Sequence, residues 1–214
     1  MKIEKVIFDL GKVLVKFNPR NPFKNILKSD DDINFFFKNI CTWEWHINQD
    51  TVYDTRPATE KKIKEYPEFR EAISAFYGRF QEMIVGVYEQ NLNIALELKK
   101  KNIPIYILSN FPGDQFDVFA SNYNFVQKFD DMIISGKEGM KKPDPEIYNL
   151  VVRLMNRQPK NTLVFEDSNN GMRAAIAAGC MGIMVPNQAP SEDDVNEKAF
   201  LVTSSLADIM PLIG

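Results

Sequence analysis

Histidine is almost absent from this 214-residue chain: there is one, His46. That excludes every mechanism or metal site needing two or more imidazoles, the usual HExxH zinc site among them. A Ser-His-Asp triad would have to use His46, which lies in the aromatic, helical-looking segment CTWEWHI. No GxSxG nucleophile motif accompanies it, so a packed or surface histidine is the better reading. Cysteine is nearly as scarce. Cys41 and Cys180 lie far apart and form no CxxC pair, and the chain shows no signal peptide, so a reduced, cytoplasmic setting is expected. The opening MKIEKVIFDLGKVLV carries Glu4 and Asp9 inside its apolar run and has no small-residue cleavage site. It reads as a buried strand. No apolar run approaches the length of a membrane span, and no membrane role is expected. Nor is there a basic excess. The 26 Lys and Arg against 29 Asp and Glu leave a net charge of −3, which argues against a generic nucleic-acid binder. A small anionic substrate remains compatible, because a site can be locally positive inside a mildly acidic protein.

What is present is the ordinary balance of a globular protein, 44% hydrophobic and 26% charged. The length suits one sizeable domain, or one core domain carrying a smaller insertion. Six short apolar runs read as strands: 5–8 (KVIF), 105–108 (IYIL), 132–134 (MII), 163–165 (LVF), 183–185 (IMV) and 200–202 (FLV). None alternates with polar residues, which suits strands covered on both faces. Helical patterns lie between them. Leu92, Ala95, Leu96 and Leu98 share a face that ends in Lys99–Lys101, with Pro104 beyond it. Ile147, Tyr148, Val151, Val152 and Leu154 follow Pro145, with Asp144 as N-cap. The alanine-rich run 172–179 stops at Gly179. Such alternation predicts an α/β fold, a Rossmann-like parallel sheet with helices on both faces.

The stretch 17–86 differs in kind. It is rich in aromatics, and the spacing of Phe69, Ile73, Phe76, Tyr77, Phe80 and Ile84 is helical. We therefore expect a small all-helical cap over residues 17–86, inserted into a core formed by 1–16 and 87–214. The tail segment 190–198 (PSEDDVNEK) reads as a charged surface turn, followed by the last strand and a helix capped near Ser204 or Ser205.

In open α/β sheets the ligand crevice lies outside the carboxyl ends of the strands. Here each strand end supplies a chemically useful group. Asp9 follows KVIF, Ser109 and Asn110 follow IYIL, Lys142 lies in the loop SGKEGMKKPDP, and Glu166 with Asp167 follows LVF. That set is complete for phosphoryl transfer through an aspartyl-phosphate. A carboxylate attacks phosphorus and divides the displacement into two steps. Magnesium offsets the repulsion between the two anions, a hydroxyl and an amide hold phosphate oxygens, and a lysine adds positive charge. Three carboxylates make a hard oxygen site, which favours Mg²⁺ over zinc. Lys142 is preferred to Lys141 because it abuts the Pro-Asp-Pro turn. Gly171 and Gly179 read as packing and C-cap glycines.

The sequence resembles the haloacid dehalogenase-like (HAD) superfamily of hydrolases, in the branch whose helical cap follows the first strand. The resemblance rests on FDLGKVLV (8–15), YILSN (106–110), GMKKPDPEIY (139–148) and VFEDSNNGMRAAIAAG (164–179), in the family's order and spacing. It implies Asp9 as nucleophile, Ser109 and Asn110 as phosphate ligands, and Lys142 as the stabilising lysine. It further implies Asp167 as a metal ligand, with Glu166 as an additional metal-site acid and the Gly11 carbonyl as a backbone ligand. Most phosphatases of this family carry a second Asp two positions after the nucleophile as general acid and base; here that position is Gly11. The implied activity is Mg²⁺-dependent hydrolysis of a small phosphomonoester, a sugar phosphate being one candidate, with cap motion admitting substrate. Two rivals are a 2-haloacid dehalogenase, against which the Glu166–Asp167 pair speaks, and a phosphate-binding regulator weakened by Gly11. Within the cap, Trp43, Trp45 and His46 read mainly as cap core or cap–core contact. Trp45, Gln49 and Asp50 are candidates for substrate contact, and Asp50 also for the missing acid. The expected partner is a small phosphorylated metabolite, and the expected state a monomer or homodimer.

Overall fold

The structure, a computed structural model, describes residues 3–154, 158–185 and 190–212. Among the described residues eight strands form: β1 (Lys5–Phe8), β2 (Val15–Phe17), β3 (Ile84–Val87), β4 (Ile105–Ser109), β5 (Asp131–Ile134), β6 (Thr162–Glu166), β7 (Met181–Met184) and β8 (Leu201–Val202). Six of them make one parallel sheet in the order β5-β4-β1-β6-β7-β8. From β1 the chain builds outward through β4 and β5, then returns to the other side of β1 with β6. The order therefore reverses beside β1, and in such sheets that is where a crevice opens at the carboxyl ends.

The continuous apolar runs are explained by what covers them. Val6, Phe8, Ile105, Ile107, Leu163 and Phe165 face one side, against Leu92, Ala95 and Leu98 of α5 (Glu89–Lys100). Ile7, Leu108 and Val164 face the other, against helix 146–154, with Ile147, Tyr148 and Val151, and helix 169–177, with Ala174 and Ala175. Alternate strand residues thus fill two separate apolar layers, so no face is left for polar alternation. Ahead of α5 run four helices: α1 (Asp30–Phe35), α2 (Trp43–Ile47), α3 (Arg56–Glu65) and α4 (Arg70–Gly78). After it come α6 (Gly113–Asn122), α7 (Ser135–Glu138), α8 (Glu146–Leu154), α9 (Asn169–Ala177) and α10 (Asp193–Lys198). Helix starts follow local chemistry. Ser29, Thr42 and Ser168 cap α1, α2 and α9 with side-chain oxygens, and Asp144 Oδ1 accepts from the Glu146 N–H at 2.9 Å.

Two local expectations are corrected. The helical period that reached Ile84 ends at Gly78; Ile84–Val87 is instead a strand, paired antiparallel with β2 in a two-stranded ribbon. Gly86 holds φ 152°, a backbone open to glycine, and such a residue cannot continue a helix. The charged tail is not a simple turn. Residues 193–198 form α10, with acids in its first turn and Val195 buried against Met172 and Met184. The final helix, Leu206–Leu212, winds as 3-10 turns, and Ser205 Oγ caps its start by accepting from the Ala207 N–H at 3.2 Å. Among the described residues no helix is long and apolar enough to cross a membrane.

Aromatic residues explain the packing of the helices between β2 and β3. Phe23, Phe36, Phe37, Trp45, Phe76, Tyr77 and Phe80 stack edge and face, and Phe80 meets Phe111 at 5.5 Å between ring centroids. One apolar cluster therefore runs from these helices into the layer under the sheet.

Candidate active site

Asp9 follows β1 directly, and its N–H donates to the Phe165 carbonyl at 3.0 Å, which fixes where the carboxyl leaves the sheet. It is 8% exposed. The Lys142 ammonium donates to Asp9 Oδ1 at 2.9 Å and to Glu166 Oε1 at 2.6 Å. Burial alone would lower the lysine's pKa, but the two carboxylates overcome it and hold the ammonium above its ordinary value. Tyr148 donates its hydroxyl to the same Glu166 Oε1 at 2.7 Å, and Ser168 Oγ lies 3.2 Å from Oε2. Glu166 is fully buried, and burial raises its pKa while Lys142 opposes the rise. A Cβ on Gly171 would lie 2.2 Å from Glu166 Oε2, so that glycine is where helix α9 closes over the carboxylate.

Asp167, one residue beyond β6, has its pKa pushed up to about 7 by burial and then by the charges of Asp9 and Glu166. Its nearest cation is Lys12 Nζ at 3.9 Å. Each of Asp9, Glu166 and Asp167 offers an oxygen within 4.8 Å of the others. The donors are all hard oxygens, and three carboxylates converge where burial removes them from water. Both observations fit a Mg²⁺ ion, which prefers carboxylate and carbonyl oxygen. Gly11 borders the same cavity, and a Cβ there would meet nothing within 4 Å. Packing does not require glycine at that position.

The loop carrying Lys142 is held by Asn110. The Asn110 amide donates to the Lys142 carbonyl at 2.9 Å and its Oδ1 accepts from the Lys142 N–H at 2.9 Å. This changes the expected use of Asn110: the side-chain amide is spent on the loop, leaving the main chain as the part that can meet an anion. The Ser109 side chain is buried at the end of β4 and lines the cavity. The Lys142–Pro143 peptide is cis.

These groups surround one cavity of about 370 Å³. Asp9, Gly11, Ser109, Asn110, Lys142 and Asp167 all line it, whereas Glu166 stands behind Lys142. Of the three cap candidates only Asp50 borders it. Trp45 packs on Phe76 and Tyr77, and Gln49 donates to the Trp45 carbonyl at 3.0 Å. The one-turn helix α2 turns Trp43, His46 and Ile47 to the cavity instead, a choice of face that spacing alone did not specify. His46 Nδ1 pairs with the Tyr77 hydroxyl at 3.0 Å, and burial with nearby Lys141 lowers its pKa to about 4. It stays neutral near pH 7. Lys12 was not singled out in the sequence, and Lys141 was set aside there in favour of Lys142. Lys12, at φ 59°, borders the cavity from the β1 loop, and Lys141 reaches across it to the Ile47 carbonyl at 2.5 Å. The only sequence signal for either is a lysine adjoining a motif residue.

A model of the haloacid dehalogenase-like hydrolases matches residues 5–179. A phosphorylated carbohydrates phosphatase of Thermotoga maritima is 31% identical over 124 residues, 55% of this chain and 57% of that one. The chain thus spans about half the length of the curated relatives it matches first. An enolase-phosphatase E1 of Persephonella marina is 27% identical over 90% of this chain and 86% of the relative. Among solved structures, the magnesium-bound HAD-hydrolase YfnB of Bacillus subtilis superposes with a TM-score of 0.76 at 16% identity, covering 100% of both chains.

Proposed function

The chain belongs to the haloacid dehalogenase-like hydrolases, and we propose that within this family it is a phosphatase that hydrolyses a small phosphomonoester through phosphorylation of Asp9. The observation that carries the reading is the meeting of Asp9, Lys142 and Asp167 with Ser109 in one cavity. There Lys142 clamps Asp9 Oδ1 at 2.9 Å and leaves the other carboxylate oxygen to attack. Asp9, Asp167 and the Gly11 carbonyl, with Glu166 beside them, would hold Mg²⁺, which when bound neutralises charge between the attacking carboxylate and the phosphate. Asp9 and Glu166 keep Lys142 charged, and Tyr148 holds Glu166 through its Oε1. The Ser109 hydroxyl and the main chain at Asn110 would take the remaining phosphate oxygens. Water then cleaves the Asp9–phosphorus bond and restores the enzyme. A sugar phosphate suits the cavity's volume and its mixed wall of lysines and aromatics, and the carbohydrate-phosphatase relative supports that class.

A panel of phosphomonoesters assayed with and without Mg²⁺, beside Asp9→Asn, tests the reading. Turnover should require the metal and disappear in Asp9→Asn. Activity that persists without metal, or in that variant, would falsify it. Chloride release from 2-chloropropionate would instead identify a dehalogenase.

A further inference from the structure

An alkoxide leaving from phosphorus needs a proton, and the attacking water must later lose one. The titratable side chains that border the cavity are Asp9, Lys12, His46, Asp50, Lys141, Lys142 and Asp167. Most are committed. Asp9 must attack as a carboxylate, and Lys142 is fixed between two acids. Asp167 belongs to the proposed metal site. Lys12 lies against Asp167 at 3.9 Å, and Lys141 donates to the Ile47 carbonyl. His46 is neutral and engaged with Tyr77. Asp50 remains. It is 6% exposed, and among the described residues nothing hydrogen-bonds its carboxyl.

The segment bearing Asp50 belongs to the helical insertion in sequence but is stitched to the sheet side. Ser135 Oγ donates to the Asp50 carbonyl at 2.5 Å, and the Gly113 and Asp114 N–H groups donate to the Val52 and Tyr53 carbonyls at 3.1 and 2.6 Å. The Thr55 hydroxyl donates to Asp114 Oδ2 at 2.7 Å, and Lys141 ties down Ile47 from the other side. Gly136 is a point of very close contact, since a Cβ there would lie 2.6 Å from the Val52 carbonyl. Asp50 is therefore carried on backbone anchored to α6 and α7, the elements that follow β4 and β5.

Resting on the phosphatase reading, we infer that Asp50 is the general acid and base of the reaction, filling from the inserted segment the role that Gly11, without a side chain, leaves open. As Asp9 attacks and the phosphorus–oxygen ester bond breaks, the Asp50 carboxyl gives its proton to the leaving oxygen. The resulting carboxylate then takes a proton from the water that attacks phosphorus and frees Asp9. One ester and one water become one alcohol and one phosphate, and Asp50 ends protonated as it began. Burial pushes its pKa up to about 7, against the opposing charges of Lys141 and Lys142, so both forms are accessible near neutrality. The Tyr77 hydroxyl, also near Asp50, stays protonated there because burial raises it far above that range.

The test compares Asp50→Asn with the unaltered protein on an alkyl ester, glycerol phosphate, and an aryl ester, p-nitrophenyl phosphate, both with Mg²⁺. A nitrophenolate leaves without a proton. The kcat/KM for glycerol phosphate should fall about 10²–10⁴-fold, as expected for loss of general acid catalysis, while that for the aryl ester falls less than about tenfold. With the aryl ester the variant should also release a burst of one nitrophenolate per site before slow turnover, because phosphoryl-Asp9 has lost its base. Equal losses on both esters in a protein with unchanged circular dichroism overturn the assignment, as does an unchanged alkyl kcat/KM. Unaltered protein inert toward both esters would remove the phosphatase reading and this inference together.

Discussion

Lys142 shows how one residue can be judged by what surrounds it. Its side chain is 5% exposed and touches two carboxylates, one of which, Glu166, is wholly buried. Removing one partner of a buried charge pair typically costs about 3–5 kcal/mol, because the other is left without compensation. Lys142→Met should therefore destabilise the protein by about that much at pH 8. The penalty should shrink at pH 5. Burial already raises Glu166's pKa, and without the lysine the raise is larger, so the acid is neutral at low pH and its burial then costs little. Urea unfolding at the two pH values measures the difference; an equal loss at both would mean that Glu166 is not what the lysine stabilises. The sequence identified Lys142 over Lys141 from its place before Pro143. It could not indicate that Asn110 would spend its side chain on that loop, because the pairing spans 32 residues.

At the scale of elements, the decisive contact is between the segment after α2 and the starts of α6 and α7. A Cβ on Gly136 would lie 2.3 Å from the Gly113 nitrogen and 2.8 Å from the Phe111 carbonyl, as well as on Val52. All three are backbone atoms that no rotamer can move. Gly136→Ala should cost about 3 kcal/mol by overpacking, which for a chain of this size is about 6–12 °C in Tm. Calorimetry reads that directly, and a shift below about 2 °C would show that the segment yields easily. The same contact bears on reading the sequence. Periodicity found α4 through Phe76 and Tyr77, yet it carried the helix on to Ile84, where the ribbon β2–β3 forms. Two three- to four-residue strands leave too short a pattern for a period to register, and Val85 is 49% exposed.

For the whole molecule, the surplus of buried acid predicts how stability answers to pH and metal. Asp50 and Asp167 both have folded-state pKa values of about 7, raised by burial. Each therefore binds protons more readily folded than unfolded. Their contribution is fully present below the unfolded carboxylate value near 3.9 and is lost as pH rises through about 7. The metal-free protein should become less stable between pH 5 and pH 8. If Mg²⁺ binds at Asp9, Glu166 and Asp167 as proposed, it displaces the proton on Asp167, and its stabilisation should be larger at pH 8 than at pH 6. Thermal melts at these pH values across a Mg²⁺ titration check both slopes, because a ligand that binds only the folded state raises the melting temperature with its concentration. Metal that stabilises equally at both would remove Asp167 from the binding set.

The sequence by itself determined the parallel sheet, since short apolar runs such as KVIF and LVF alternate with helical patterns and suit strands covered on both faces. It also determined the acids, hydroxyl and lysine at the strand ends, because chain direction puts every strand's last residue on one edge. Tertiary structure alone decided which of those groups touch. It set Glu166 behind Lys142 and turned Trp43 and His46 to the cavity in place of Trp45 and Gln49. It also brought Asp50 to the cavity that Asp9, 41 positions earlier in the chain, borders from β1. Spacing along a chain carries local geometry, whereas these contacts are set by long-range packing through backbone hydrogen bonds and two close-set glycines.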